Sequence, residues 1–166
     1  MAELTQKERL QPSLLDRLTD DDPHTQVEAR DKRVLSMHKL RRSVLRDVSW
    51  LFNSDSFESV TDLTDYPEVA KSVLNYGMKD LAGITMSGAN LPEIEKRLKQ
   101  ALINFEPRIL PNTLNIRVFS SELMNNQALN FDIEANLWAQ PLPEHLYLRT
   151  EINKITGDVN LRDMGG

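Results

Sequence analysis

The apolar residues of this chain recur with two different periods, and the first half of the chain carries the helical period. Over 31–52 they recur at spacings of three and four, a pattern that predicts one amphipathic helix. A second stripe predicts a helix at 92–106, because Pro92 suits a first helical turn and Pro107 disfavours helical geometry in the residue before it. Between the two helices the sequence predicts loops and short pieces, including a short extended segment or turn at 72–76.

The pattern changes to a period of two after the second predicted helix. Alternating apolar and polar residues predict strands near 114–119, 129–138 and 146–152, and a turn signal at 156–158 precedes a last short strand that begins at Val159. Only one face of each strand is apolar, so we expect an antiparallel meander with helices on one side. The predicted fold class is therefore α+β, with N-terminal helices packed on one face of a small antiparallel sheet.

Residues 1–30 differ from the rest of the chain because they are mostly polar and are interrupted by prolines and an acidic run. They contain one short apolar island, with Leu14, Leu15 and Leu18, which predicts one or two turns of helix. A helix this short is not stable alone and needs a surface to dock on, either its own domain or a partner. We therefore divide the chain into an N-terminal docking arm at 1–30 and one α+β domain at 31–166.

The composition excludes several classes of function. Twenty basic and twenty-five acidic residues give a net charge of −5, which argues against a nucleic-acid binder because such proteins carry a basic surface. The absence of cysteine excludes disulfides and zinc–thiolate sites, and the three histidines are too scattered to form a ligand pattern. We expect no metal and no cofactor. The sequence shows neither a signal peptide nor a long apolar run, so we expect a cytoplasmic protein without membrane insertion.

Paired carboxylates are the one catalytic arrangement that the composition leaves open. A glycosidase needs two carboxyl groups held roughly 5–9.5 Å apart. Twenty-five acidic residues allow many such pairs, so their presence is not specific. The sequence therefore indicates no catalytic residue.

The predicted helix at 31–52 carries basic residues opposite its apolar stripe. These residues are Lys32, Arg33, Lys39, Arg41, Arg42 and Arg46. Like charges on one helix repel each other unless acids lie nearby. Three interpretations stay open: a solvated face offset by Asp31 and Asp47, a face that docks on an acidic protein surface, or a nucleic-acid contact. The last is the least favoured, because no aromatic residue is interleaved in the helix before Trp50.

The most unusual local feature is the acid at the end of the second helix. Glu106 is placed at a helix C-terminus, where the helix dipole disfavours a negative charge by about 0.3–1 kcal/mol. Arg108 is the nearest cation in sequence, and Pro107 fixes the backbone between the two. The pair is either a local ion pair that fixes a helix-to-strand corner or a contact to a partner, and catalysis is the least favoured role.

These residues carry a resemblance to a known family. The segment 103–109, Ile-Asn-Phe-Glu-Pro-Arg-Ile, resembles the Glu-Pro-Arg motif of phage baseplate wedge proteins, a family historically labelled lysozyme-like. Residues 12–20 resemble the TssE branch of that family, which belongs to type VI secretion baseplates. The segments 76–77, 131–135 and 148–152 fit the same pattern. By order and spacing, the resemblance covers nearly the whole chain.

The resemblance implies a structural, non-enzymatic subunit of a contractile baseplate docked at the bacterial inner membrane. The implied partners are TssF, TssG and TssK, the VgrG spike, and the TssB–TssC sheath that polymerises on the baseplate. Sheath subunits are linked by strand addition to a sheet edge, and the predicted sheet has few obvious edge-blocking residues. A peptidoglycan-hydrolysing, lysozyme-like enzyme is the alternative, and a free-standing regulatory binding module is a third.

The candidate protein-binding residues come from two sources. The motif residues Glu106, Pro107 and Arg108 are implied by the resemblance. The arm contributes the apolar island described above, for which its short helix predicts a docking role. No catalytic, metal-binding or cofactor-binding residue is proposed.

Overall fold

A computed structural model describes residues 13–19, 24, 37–78, 91–120, 128–139, 143–153 and 156–165. Within these ranges the α-helices are Leu14–Leu18 (α1), Met37–Phe52 (α2), Pro67–Ala70 (α3) and Leu91–Phe105 (α4). The strands are Asn115–Ser120 (β1), Ala128–Leu137 (β2), Glu144–Asn153 (β3) and Val159–Asp163 (β4). Short 3-10 turns lie at Phe57–Ser59, Val73–Asn75 and Pro111–Thr113.

The four strands form one antiparallel sheet in the order β1-β2-β3-β4. Neighbouring strands face each other in register, with Val118 opposite Phe131 and Ile133 opposite Leu148. The apolar side chains of these strands share one core with the stripes of α2 and α4. The predicted α+β class, with its two long helices and a meander, is therefore confirmed.

The core explains why the two long helices form where they do. Leu40, Val44 and Val48 recur every fourth residue along α2 and are all buried. The helix ends on Phe52, whose ring meets Phe131 edge-on at 5.7 Å between centroids. The predicted start of this helix at residues 31–36 lies outside the described residues.

A long loop at residues 54–78 follows α2, and its two ends are hydrogen-bonded together. Met78 N donates to Ser54 O at 2.8 Å, and Ser56 N donates to Met78 O at 3.1 Å. Gly77 takes a φ of +124°, and a Cβ there would lie 2.4 Å from Ser54 O. We refer to this segment as the 54–78 loop. Its part at 72–76 is a 3-10 turn, so of the two predicted forms the turn is correct and the extended segment is wrong.

Candidate functional site

The Glu-Pro-Arg motif forms a sharp corner between α4 and the sheet. Helix α4 ends at Phe105, and Glu106 follows with only 3% of its surface exposed. Pro107 is exposed at the turn. Arg108 O then accepts a hydrogen bond from Trp138 N at 2.7 Å, which ties the corner to the end of β2.

Glu106 and Arg108 form a two-pronged ion pair. Arg108 Nε donates to Glu106 Oε1 at 2.7 Å, and Arg108 Nη2 donates to Glu106 Oε2 at 2.6 Å. The backbone N of Arg108 also donates to Glu106 Oε1, at 3.1 Å. This geometry is the strong form of an arginine–carboxylate contact. The predicted cation next to the buried acid is therefore present.

Arg108 also reaches across to α2. Its Nη2 donates to Asp47 Oδ2 at 2.6 Å, and its Nη1 donates to Ser43 Oγ at 3.1 Å. Burial lowers the pKa of Arg108, but the hydrogen bonds and charges of Glu106 and Asp47 outweigh this effect, so its pKa is raised overall. Arg108 therefore stays charged and pins the end of α4 to the middle of α2.

Asp47 extends this cluster toward the arm. Its other oxygen, Oδ1, accepts from Arg46 Nε at 2.8 Å, and Arg46 Nη1 donates to Asp16 Oδ1 on α1 at 2.7 Å. The Arg46 guanidinium also lies over the ring of Trp50, 5.3 Å from its centroid. A continuous relay of charged side chains thus connects the corner to α1 through Asp47 and Arg46. We call this series, from Arg108 to Asp16, the charge relay.

Asp16 is held in its ionised form by its neighbours. Burial raises its pKa, but hydrogen bonds from Ser13 and Arg46 and the charge of Arg46 outweigh burial, so the pKa lies below the ordinary value of 3.8. Ser13 also caps α1, because its hydroxyl accepts from Asp16 N. The arm helix is thus fastened to α2 through its polar side.

The three leucines of the arm face solvent. Leu14 is 70% exposed, Leu15 is 40% exposed and Leu18 is 74% exposed. The structure therefore connects α1 to the corner through the charge relay, but it does not bury the apolar residues of the arm. Of the predicted arm at 1–30, only 13–19 and 24 fall within the described residues.

Sequence reasoning missed the partners of Arg108 on α2. Asp47 is the single acid within α2 and Ser43 is a buried polar residue, and both are more than 60 positions away in sequence. A lone acid in a basic helix was the available signal. From the sequence alone, such an acid indicates only an offset to the helix's own charges.

Two arginines of the basic face of α2, Arg41 and Arg46, are used inside the molecule. Arg41 donates to both carboxylate oxygens of Asp163, to Glu144 Oε1 at 3.0 Å and to the backbone oxygens of His145 and Gly165. Its pKa is raised, first by the hydrogen bonds that it donates to Asp163. The solvated-face interpretation is therefore wrong for Arg41, which fastens the start of β3 and the end of β4.

Both outer strands carry a side-chain cap on their open edge. Val118 N on β1 donates to Glu95 Oε1 of α4 at 2.9 Å. On β4, Val159 N donates to Asn53 Oδ1 at 2.8 Å, and Asn53 Nδ2 donates to Val159 O at 3.0 Å. Such caps occupy groups that an added strand would use. Each of the two edges therefore carries a blocking contact that the sequence did not predict.

We also searched the described part of the chain for a metal site and for a membrane-spanning helix. Among those residues, no group of His, Asp or Glu side chains could hold a metal ion. Within the same ranges, no helix combines the length and apolarity needed to cross a bilayer.

The comparison with protein families decides the family. The family model described as baseplate wedge protein gp25 matches residues 38–142, which is more than half of the 166 residues. The chain belongs to this family. No curated protein and no solved structure matches it.

The match to the baseplate wedge family confirms the resemblance identified from the Glu-Pro-Arg motif. It runs from α2 through the corner to β2 and ends just before β3, so the corner and the Asp47 contact both lie inside it. The α1 helix and β4 lie outside it. Membership supports a structural role in a phage-tail-like baseplate, in contact with other baseplate components.

Proposed function

We propose that this chain is a TssE-like subunit of a type VI secretion baseplate, where it joins the wedge and acts as the adaptor for tail-sheath assembly. The family match over 38–142 carries the proposal, and the resemblance of residues 12–20 to TssE supports the secretion-system branch. The proposed partners are TssF, TssG, TssK, the VgrG spike and the TssB–TssC sheath. The proposed location is the bacterial cytoplasm, at the baseplate docked on the inner membrane.

The corner supports a role in assembly because it is rigid and has one donor left over. An arginine carries five N–H groups. Among the described residues, four of those of Arg108 are bound, to Glu106, Asp47 and Ser43, and one on Nη1 has no acceptor. We therefore propose that Glu106 stabilises the fold, whereas Arg108 both stabilises the fold and contacts a partner. Pro107 is exposed beside it.

The arm supports a second contact. Three leucines on one short helix are exposed, while Asp16 holds that helix on α2. An apolar face presented in this way fits a groove on a wedge partner. We propose Leu14, Leu15 and Leu18 as the contacts of this docking arm, with the rest of the chain from residue 31 as the domain that carries it.

The sheet edges support a specific place for sheath addition. The β4 edge is held by two bonds between Asn53 and Val159 and by the Arg41–Asp163 pair. Among the described residues, the β1 edge is held by one bond, from Val118 N to Glu95. Because the β1 cap is the easier one to displace, we propose that a sheath strand adds to β1.

Co-purification tests the proposal directly. The full chain is co-expressed with TssF, TssG and TssK, and a stable complex is expected on size-exclusion chromatography. The Arg108→Ala and Glu106→Ala variants are compared with Arg149→Ala, which alters an exposed arginine on the sheet. Normal assembly of both corner variants would remove the motif from the mechanism, and no complex with the unaltered chain would refute the type VI assignment.

The proposal includes the absence of hydrolase activity. A general acid must present a free carboxyl group to its substrate, whereas both oxygens of Glu106 are bound to Arg108 and the side chain is buried. Purified peptidoglycan should therefore not clear in a turbidity assay. Clearing that one carboxylate-to-amide change abolishes would establish the lysozyme-like alternative instead.

A further inference from the structure

Exposed apolar side chains are concentrated in the 54–78 loop. Among the described residues, twelve large hydrophobic side chains are exposed, and five of them lie in this loop. They are Phe57, Val60, Tyr66, Val73 and Leu74, and the last two are 82% and 71% exposed. Single exposed apolar residues are normal, but a concentration of them marks a surface that contacts something.

The loop holds its shape without burying these side chains. Asn75 is buried and braces the two 3-10 turns, because its Oδ1 accepts from Glu58 N at 2.8 Å and its Nδ2 donates to Ala70 O at 2.9 Å. Leu63 and Met78 are buried apolar residues that anchor the loop. A surface fixed in this way loses little conformational entropy when a partner binds. Folding therefore does not account for the apolar residues of the two turns.

The same loop is strongly acidic. Its exposed carboxylates are Asp55, Glu58, Asp62, Asp65 and Glu68, against one exposed lysine, Lys71. Carboxylates of one sign on the loop that carries the exposed apolar side chains disfavour nucleic acid and anionic lipid as partners. They also disfavour a second copy of this chain docked loop to loop, because like charges would face each other.

We infer that the 54–78 loop docks a basic amphipathic helix of a partner protein, with Phe57, Val73 and Leu74 against its apolar face and the carboxylates opposite its lysines or arginines. Helices of this kind bind through apolar anchors, and complementary charge sets their register and their rate of encounter. The proposed contact residues differ from those of the Arg108 corner and the arm, although Tyr76 of the same loop meets Phe105 edge-on at 5.5 Å between ring centroids. The loop adds a third contact to the proposed adaptor, and this contact does not depend on the type VI assignment.

The test uses a defined probe on the full-length chain. The probe is a synthetic leucine–lysine amphipathic peptide of about 15 residues, a length at which helices become stable. A leucine–glutamate peptide of equal length is the charge control. We expect the lysine peptide to bind, measured by isothermal titration calorimetry, and the glutamate peptide not to bind.

Two loop variants with matched controls locate the binding site. Removing the apolar anchors with Val73→Ser and Leu74→Ser together should weaken binding about tenfold. The control pair Ile103→Ser and Met164→Ser removes two exposed apolar side chains elsewhere and should change binding less than about twofold. All these side chains are exposed, so circular dichroism should show unchanged folding.

The charge variants are matched in the same way. Their affinities for the lysine peptide are compared at equal ionic strength, because salt screens the interactions between exposed charges. The loop triple variant is Glu58→Gln, Asp65→Asn and Glu68→Gln, and the control triple variant is Glu93→Gln, Glu134→Gln and Glu151→Gln. The loop triple should weaken binding about threefold more than the control.

Three results would overturn the inference. Equal loss in loop and control variants would mean that the peptide is attracted only by the net charge. Equal binding of both peptides would mean that the patch does not select a basic partner. Dimerisation that Val73→Ser and Leu74→Ser together abolish, seen by analytical ultracentrifugation, would make a second copy the occupant.

Discussion

Asp47 holds two guanidinium groups with one carboxylate. Its Oδ1 binds Arg46 and its Oδ2 binds Arg108, at 2.8 and 2.6 Å. The two arginines therefore bind different oxygens, but both depend on the same Asp47 side chain. Asp47 connects the corner to the arm through Arg46. A substitution in the corner or in the arm should therefore alter the contacts of Asp47.

Arg108→Ala should lower the free energy of unfolding by about 3–5 kcal/mol, because it leaves Glu106 buried without a counter-charge. Urea unfolding followed by circular dichroism measures this loss. Arg108→Lys keeps the charge but not the two-pronged geometry, so it should lose less. A loss below about 1 kcal/mol for Arg108→Ala would mean that the pair behaves like an exposed one.

Gly77→Ala should destabilise the 54–78 loop, because φ at this position is +124° and the new Cβ would lie 2.4 Å from the backbone oxygen of Ser54. Strain of this kind costs about 1–3 kcal/mol. Gly165→Ala is the control for backbone strain, since Gly165 lacks a positive φ and the atom nearest to its new Cβ, 3.0 Å away, belongs to the Arg41 side chain and not to the backbone. Thermal unfolding should show a clear drop for the first variant only, and equal melting temperatures would contradict the assigned backbone.

At the scale of elements, periodicity was sufficient for the fold. The stripes of α2 and α4 and the alternation of the strands follow from burial on one face, so the sequence predicted all of them. The edge caps did not follow, because Asn53 and Val159 are 106 positions apart and no local pattern relates them. The same holds for Asp47 and Arg108, whereas the Glu106–Arg108 pair was predictable because it spans two positions.

Deleting residues 1–20 should leave the domain folded and weaken wedge assembly, because α1 is attached by the polar contact of Asp16 with Arg46 while its leucines face solvent. Circular dichroism and melting temperature report the fold, and co-purification with TssF and TssG reports assembly. Asp16→Asn is the milder companion and should loosen the arm without removing its leucines. Unfolding on deletion would place the arm in the core and refute its role as a docking arm.

Removing the edge caps one at a time should show which edge of the sheet accepts a sheath strand. Glu95→Ala frees Val118 N on β1, and Asn53→Ala frees both backbone groups of Val159 on β4. If the sheath strand adds to β1, Glu95→Ala should speed TssB–TssC sheath assembly, measured by sedimentation, and Asn53→Ala should not. Asn53→Ala should instead lower stability by about 1–3 kcal/mol, because it loses two hydrogen bonds with Val159 and one to Ser49 O. The reverse pattern would move strand addition to β4.

At the scale of the whole molecule, α2 is the element on which the others are fastened. Its Arg41 holds the start of β3 and the end of β4, its Asp47 holds the corner after α4, and its Arg46 holds α1. These polar contacts lie around a core to which α2 contributes its apolar stripe. A partner that binds Arg108 therefore alters the contacts of α2, the helix that also holds the arm.

This connection predicts that the corner controls release of the arm. The pKa of Asp16 lies below 3.8 in the folded chain, so the Asp16–Arg46 contact is fully present above 3.8 and is lost as the pH falls through the lower folded value. Trp50 lies against Arg46 and reports this step by fluorescence in a Trp138→Phe background, where it is the single tryptophan. The Asp16→Asn variant should lack the step.

Arg108→Lys should move that step to higher pH. A lysine cannot reproduce the paired hydrogen bonds of Arg108, so Asp47 should attract Arg46 more strongly and draw it away from Asp16. The pKa of Asp16 then rises toward its ordinary value. Arg149→Lys, on the exposed face of the sheet, is the control and should leave the midpoint unchanged. An unchanged midpoint in Arg108→Lys would show that the corner and the arm are energetically independent, whereas a shift requires, by reciprocity, that binding at the arm alters the corner.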